Sequence, residues 1–262
     1  MDWGMKNRLS RIIKSDGRTV MLAVDHGYFL GPVKRMEEPR KTITPLIPYA
    51  DSLMITRGIL RTSIDAQLDI PIVLRASGGN SVLNEDLSNE GLTVSIQDAL
   101  RLNVCAVAIS IYLGSSHEHQ TLINLSKLID AGQEYGIPVL AVTAVGKELE
   151  KRDSRYLSLA SRIVAELGAQ MVKTYYCEGF DKVVKSCPVP IVIAGGPRLK
   201  TELDALHLAY NAIQEGAVGV DMGRNIWQSS NPIGMIKAIR AIVHEKASVK
   251  KATQIFRKQH RS

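Results

Sequence analysis

Eight times along the chain a short apolar run is followed by a stretch with helical periodicity. No other feature of the sequence restricts the fold as tightly. The apolar runs cover 19–24, 52–56, 71–74, 104–112, 138–145, 170–175, 190–194 and 217–222, and several close on glycine: Gly114, Gly146, Gly195-Gly196 and Gly223. They are near-continuously apolar rather than alternating, which implies burial on both faces and a parallel sheet. The stretches between them carry helix signals. Ser95 and Asp98 have capping-box spacing ahead of Ala99, Leu100 and Leu102. Leu122, Leu125, Leu128 and Ile129 form one apolar stripe. Leu157, Ala160, Ile163, Val164 and Leu167 form another, which Gly168 ends. Thr201 with Asp204 caps a helix bearing Leu203, Leu206, Tyr210 and Ile213. Asn231-Pro232 is a cap and first turn ahead of Ile233, Ile236 and Val243.

Eight β-then-α units in 262 residues predict an α/β fold, a closed (β/α)8 TIM barrel, as a single domain over 1–262. A doubly wound open sheet is the alternative, but the Gly-rich dinucleotide turn it would carry after the first strand is absent. Pro45 and Pro48 interrupt the first helix, and the helix between the second and third strands is very short. Residues 1–18 read as an N-terminal helical extension, whose 1–13 segment either plugs the barrel bottom or reaches a partner. Residues 245–262 read as a basic C-terminal helix.

Composition narrows the class. The chain is 45% hydrophobic and 23% charged, an ordinary globular balance. No apolar run approaches the roughly 18 residues that span a bilayer, and residues 1–10 lack a signal-peptide core, so a cytoplasmic protein without a membrane role is expected. The three cysteines Cys105, Cys177 and Cys187 are odd in number and lack CxxC spacing, which fits neither a disulfide framework nor a zinc site. The formal charge is +7 and the pI about 9.3. Six Lys/Arg against one Glu give the segment 241–262 a net of +5, leaving +2 for the body. A basic tail with Phe256 as its one aromatic reads as a solvated helix end, and nucleic acid is not expected as a partner.

Lys173 stands out within the sixth apolar run, Gln170-Met171-Val172-Lys173-Thr174-Tyr175. Desolvation disfavours the ammonium form of a buried lysine, and an uncharged amine attacks a carbonyl to form a Schiff base. The other reading is a lysine that snorkels to the surface or pairs with a buried carboxylate. In a barrel of this kind catalytic groups gather at the C-terminal strand ends. The first strand ends in Asp25-His26-Gly27, a pattern that suits either a tight turn or proton transfer. Asp25 faces the barrel centre if Ala23 does. The seventh ends in Gly195-Gly196-Pro197-Arg198 and the eighth in Gly223-Arg224-Asn225. Bare glycines let backbone N–H groups approach a phosphate, and an arginine adds a charged fork. His117-Glu118-His119 lacks HExxH spacing and reads as an exposed helix start, so no metal is expected. Cys105 and Cys177 read as packing residues. The long loop 77–93 reads as a lid or an oligomer contact.

The runs MLAVDHGYFLGP, VKTYY, CPVPIVIAGGPR and GAVGVDMGRNIWQS resemble the class I, Schiff-base aldolase family that includes archaeal-type fructose-bisphosphate aldolase. Within it, MDWGMKNRLSRI, VLRASG, LSNE, RLNVCAVA, EHQ and AVTAVGK resemble the thiolase-like members. The similarity runs over nearly the whole chain. It implies Lys173 as the Schiff-base lysine, with Asp25 and His26 near the reacting carbonyl. It also implies substrate and phosphate contacts from Gly27, Tyr28, Gly195, Gly196, Gly223 and Arg224. The implied reaction is C–C cleavage of a small phosphorylated keto substrate, 3-hydroxy-5-phosphonooxypentane-2,4-dione, with acetyl transfer to coenzyme A as co-substrate and no tightly bound cofactor. A sugar-phosphate aldolase or transaldolase and a non-catalytic phosphosugar-binding barrel are the alternatives. The resemblance further implies a homo-oligomer, a decamer-like ring. One departure stands out: the aldolases of this family carry Tyr-Pro-Arg at the end of the fifth strand, where this chain has Thr143-Ala144-Val145.

Overall fold

The computed structural model describes residues 1–144 and 153–258. The eight strands of its barrel are β1 (Thr19–Ala23), β2 (Ser52–Ile55), β3 (Ile72–Arg75), β4 (Ala106–Ile111), β5 (Val139–Thr143), β6 (Met171–Tyr175), β7 (Ile191–Ala194) and β8 (Gly219–Met222). They close in the order β1-β8-β7-β6-β5-β4-β3-β2, every pairing parallel. The (β/α)8 barrel expected from the sequence is therefore present, with strand ends within two residues of the apolar runs. The closure assigned to Gly146, and Val145 before it, lie outside the described residues.

Because side chains alternate along a strand, each strand contributes one row to the barrel interior. Met21, Met54, Val73, Ala106, Ala108, Leu140, Met171 and Val192 pack together with Ile12 and Cys105. Ile12 belongs to the helix Trp3–Ile12, so the leading helix plugs the bottom of the barrel. The opposite parity meets the surrounding helices in a larger cluster that includes Leu22, Leu53, Leu74, Val107 and Val172. Further along the strands, toward their C-terminal ends, come Ala23, Arg75, Ser110, Lys173, Ala194 and Asp221, with Asp25 just beyond β1. The apolar lower barrel thus supports the strand-borne charged groups Arg75, Lys173 and Asp221 above it.

The helix signals hold with identifiable exceptions. Thr201 and Asp204 form a reciprocal capping box, and Asn231 accepts the Gly234 N–H ahead of Pro232. Ser95 accepts the Asp98 N–H, but the Asp98 carboxylate is occupied by Arg57, Arg61 and Arg101. Leu167 and Leu203 were expected on buried stripes and are exposed, at 38% and 47%. Leu167 is the C-cap residue, where the chain leaves the helix, and the buried face of its helix uses Ser161 instead. The helix expected over 245–262 runs from Val249 to Lys258. Glu245 instead ends the preceding helix, and Lys246 turns the chain at φ 54°. Ala252 is buried, and the Phe256 carbonyl accepts from Asn231. Cys105, Cys177 and Cys187 are all buried and free.

Candidate active site

The C-terminal mouth of the barrel opens into a cavity of about 230 Å³. Lys173, Asp25, His26, Tyr28, Gly195, Gly196, Gly223 and Arg224 all line it. Gly27 does not; it opens the short helix Gly27–Leu30 beside the mouth. His117 stands at the N-cap of the helix Glu118–Tyr135 and contacts Asp86 through Nδ1 at 3.2 Å; it is not among the residues that line the cavity. Among the described residues no group of three or more His, Cys, Asp or Glu is placed to hold a metal.

Lys173 is buried, and its Nζ lies 2.8 Å from Asp221 Oδ2 on β8 and 3.5 Å from Met54 Sδ. Lys173 does not snorkel to the surface: it pairs with a buried carboxylate, and it lines the cavity. The partner is not Asp25. Two guanidinium nitrogens of Arg75 hold Asp25 Oδ2, at 2.9 and 2.8 Å, and Arg75 also donates to Ser110 Oγ at 2.8 Å. Burial alone would push the Asp25 carboxyl up, but Arg75, with His26 and Lys173, holds it below the usual carboxylate range. Asp221 has no such clamp. Burial pushes its carboxyl up, with Lys173 opposing.

His26 stands edge-on to Trp227 with ring centroids 5.6 Å apart, and its Nδ1 is 3.7 Å from Asp25 Oδ1. Burial lowers its pKa to about 4; Asp25 opposes that shift, while Arg224, Lys173 and Arg75 add to it. The ring is therefore neutral at pH 7 and able to accept a proton.

The loops after β7 and β8 are tied together. Asn225 donates to the Gly195 and Pro197 carbonyls and accepts from the Leu199 N–H. Gly223 has no room for a side chain: a Cβ there would meet the Ala23 carbonyl oxygen at 2.4 Å and His26 Cε1 at 2.5 Å. Gly196 adopts φ 67°, a conformation that costs other residues energy. The glycines let the backbone close round the mouth on the side where Arg224 enters.

Opposite them lies a network that the strand-end reading did not identify. Glu90, the residue before the second strand of a two-stranded ribbon (Ser77–Gly78 and Gly91–Leu92), is buried. It accepts from Tyr28 (2.7 Å), Tyr112 (3.2 Å) and Ser77 (2.6 Å). Arg75 stacks over the Tyr28 ring at 5.1 Å. Burial pushes both phenols up from their ordinary values, and the Glu90 carboxylate adds to the shift. The loop 77–93 thus reaches into the mouth, with Leu87 in the cavity lining. Tyr28 faces this network, not the glycine loops. At the end of β5 the Thr143 hydroxyl donates to Thr174 Oγ1 at 2.7 Å.

Asp221, Arg75, Ser110, Glu90 and Tyr112 are the cavity and network residues the sequence reading missed. The signal for Asp221 was present: a carboxylate inside the apolar run Gly219–Met222 is as anomalous as Lys173 inside its own.

The chain matches the DeoC/LacD family of aldolases over residues 19–229. It is 58% identical over 261 residues to the 3-hydroxy-5-phosphonooxypentane-2,4-dione thiolase of Enterobacter sp. strain 638, covering 99% of this chain and 88% of that one. It is 57% identical, with the same coverage, to the enzyme of that name from Klebsiella pneumoniae. Among solved structures it superposes with a TM-score of 0.83 and 26% identity on an archaeal fructose-1,6-bisphosphate aldolase whose catalytic lysine is covalently bound to the carbinolamine intermediate. That match covers 91% of this chain and 99% of the other.

Proposed function

Because the chain belongs to the DeoC/LacD aldolase family, and is an enzyme of that kind, we propose that it cleaves 3-hydroxy-5-phosphonooxypentane-2,4-dione through a Lys173 iminium and passes the acetyl unit to coenzyme A. The observation that carries this reading is the position of Lys173 on β6, next to the joined glycine loops of β7 and β8. In this substrate the phosphate-bearing C5 is bonded to the C4 ketone. A phosphate held by Gly195, Gly196, Gly223 and Arg224 therefore leaves C4 within reach of the neighbouring strand.

Lys173 Nζ adds to C4, and water leaves to give the iminium. His26, neutral at pH 7, takes the proton of the incoming thiol. The thiolate adds to the C2 carbonyl, and the C2–C3 bond then breaks with its electrons flowing into the C4 iminium. An enamine at C3–C4 and an acetyl thioester result. Protonation of C3 and hydrolysis of the imine release a three-carbon keto phosphate and free the lysine. Asp25, clamped by Arg75, is a fixed negative charge beside His26 and Lys173 that favours the cationic iminium. The scheme needs no tyrosine on β5.

Borohydride with the phosphorylated diketone should add mass at Lys173 alone, and turnover of that substrate should require coenzyme A. Coenzyme A-independent cleavage of fructose 1,6-bisphosphate at a comparable rate would replace this reading with the sugar-aldolase one. A homo-oligomeric ring and a cytoplasmic location accompany the proposal; among the described residues no helix is long and apolar enough to cross a membrane.

A further inference from the structure

We infer that Asp221 is a catalytic residue of this reaction, the carboxylate that takes a proton from Lys173 and returns it to the departing water as the iminium forms. The inference rests on the Schiff-base reading of Lys173 and goes beyond it by naming the group that moves the proton.

Three observations carry it. Asp221 Oδ2 lies 2.8 Å from Lys173 Nζ, a reacting atom, and both side chains line the cavity. Asp221 is 1% exposed, and its Oδ1 has no hydrogen-bond partner among the described residues, so one oxygen is left for a proton or a substrate hydroxyl. The second carboxylate of the cavity, Asp25, cannot take this role while Arg75 holds it and keeps it ionised. The groups facing Asp221 are Lys173 from β6, Asp25 beyond β1 and Arg75 from β3. Of these, Lys173 alone is within ion-pair distance of it.

The proton count closes. Lysine ammonium and aspartate exchange one proton, giving free amine and aspartic acid. The amine nitrogen bonds to C4, the carbonyl π pair moves to oxygen, and one proton passes from nitrogen to that oxygen. Asp221 then protonates the hydroxyl, the C–O bond breaks, and water departs as the nitrogen lone pair forms the C=N bond. Of the three ammonium protons two leave in water and one stays on the iminium. Asp221 is again a carboxylate, paired with a cation of the same charge as before. No oxidant, metal or further acid enters the balance.

A carboxylate that merely stores Lys173 as an ammonium makes the opposite prediction, since removing it would free the amine. The experiment is the rate of borohydride-trapped adduct at Lys173, read by mass spectrometry, with the phosphorylated diketone and no coenzyme A. Asp221→Asn should slow trapping at pH 7 by about 10²-fold, within the range of general acid–base groups. Its rate should climb with pH as hydroxide replaces the missing base, and Asp221→Glu should recover part of it. The affinity for inorganic phosphate should be unchanged, because the glycine loops are untouched. If Asp221→Asn does not fold, formate added to Asp221→Ala provides the second measurement, with recovery of trapping expected. Trapping in Asp221→Asn as fast as or faster than in the parent overturns the inference while leaving the lysine chemistry standing. No adduct in the parent overturns both.

Discussion

Replacing Arg75 with methionine should destabilise the protein through one identifiable group, Asp25. The Asp25–Arg75 pair is buried on both sides, at 5% and 6% side-chain exposure, with contacts of 2.8 and 2.9 Å from two guanidinium nitrogens to one carboxylate oxygen. Removing one partner of such a pair strands the other charge and costs about 3–5 kcal/mol. For a chain of this size, at roughly 2 °C per kcal/mol, Arg75→Met should melt about 6–10 °C lower at pH 7.5. The pH dependence identifies the cause. In the parent the Asp25 pKa is depressed, so its contribution is present above the ordinary carboxylate pKa and is lost as pH falls through the lowered folded value. In the variant burial is no longer opposed by Arg75 and should raise the same pKa. Protonation then relieves the stranded charge as pH falls, and the Tm gap should narrow between pH 7.5 and pH 5. Calorimetry of the parent, Arg75→Met, Asp25→Asn and the double variant completes the cycle. The double variant should lie several kcal/mol above the sum of the singles. Additive losses, or a gap that widens on acidification, would refute the reasoning.

Three other outcomes follow from the geometry. Gly223→Ala sets a Cβ against the Ala23 carbonyl and His26. It should destabilise by about 1–3 kcal/mol, the usual cost of overpacking, and raise KM for the phosphorylated diketone far more than for its dephosphorylated analogue. His244 presents both ring nitrogens to carboxylates, Nε2 to Asp51 and Nδ1 to Asp16, each at 2.7 Å, and the Asp51 contact leads in raising its pKa. Stability from this clamp is full below the ordinary histidine value and lost as pH rises through the raised one, so His244→Gln should flatten the fall in Tm on the alkaline side. Deleting residues 250–262 removes the buried Ala252 and the Phe256 carbonyl that Asn231 binds. It should lower Tm while leaving kcat per site near the parent value, and a collapse of kcat in an otherwise folded variant would place the tail in the chemistry.

Repetition made the barrel legible in the sequence, because eight apolar runs specify eight strands before any contact is known. Lys173 was legible because burying an unpaired ammonium is so unfavourable that its presence in a strand needs a reason. What stayed hidden was pairing. The strand ends set Asp25 and Lys173 at the same mouth, and the family resemblance placed Asp25 near the carbonyl that the lysine would attack. The register sets Asp221 opposite Met21 on β1 and Ala194 on β7, one strand removed from Lys173. Arg75, inward on β3, claims Asp25 from the other side. Choosing between two carboxylates for one amine requires the order of strands round the barrel, which periodicity does not contain. Glu90 was hidden for a different reason. It lies between Asn89 and Gly91 in a loop whose composition reads as solvated, and the ribbon folds it inward where Tyr28, Tyr112 and Ser77 satisfy it. A carboxylate with three hydroxyl donors is stable where a lone one would not be. The arrangement has a functional consequence. The mouth carries two carboxylates in different surroundings: Asp25 is held by a guanidinium, and Asp221 is buried beside the Lys173 amine with one oxygen unoccupied. Enzymes separate charge stabilisation from proton transfer by dividing environments in this way, and here the division follows from which strand each carboxylate occupies.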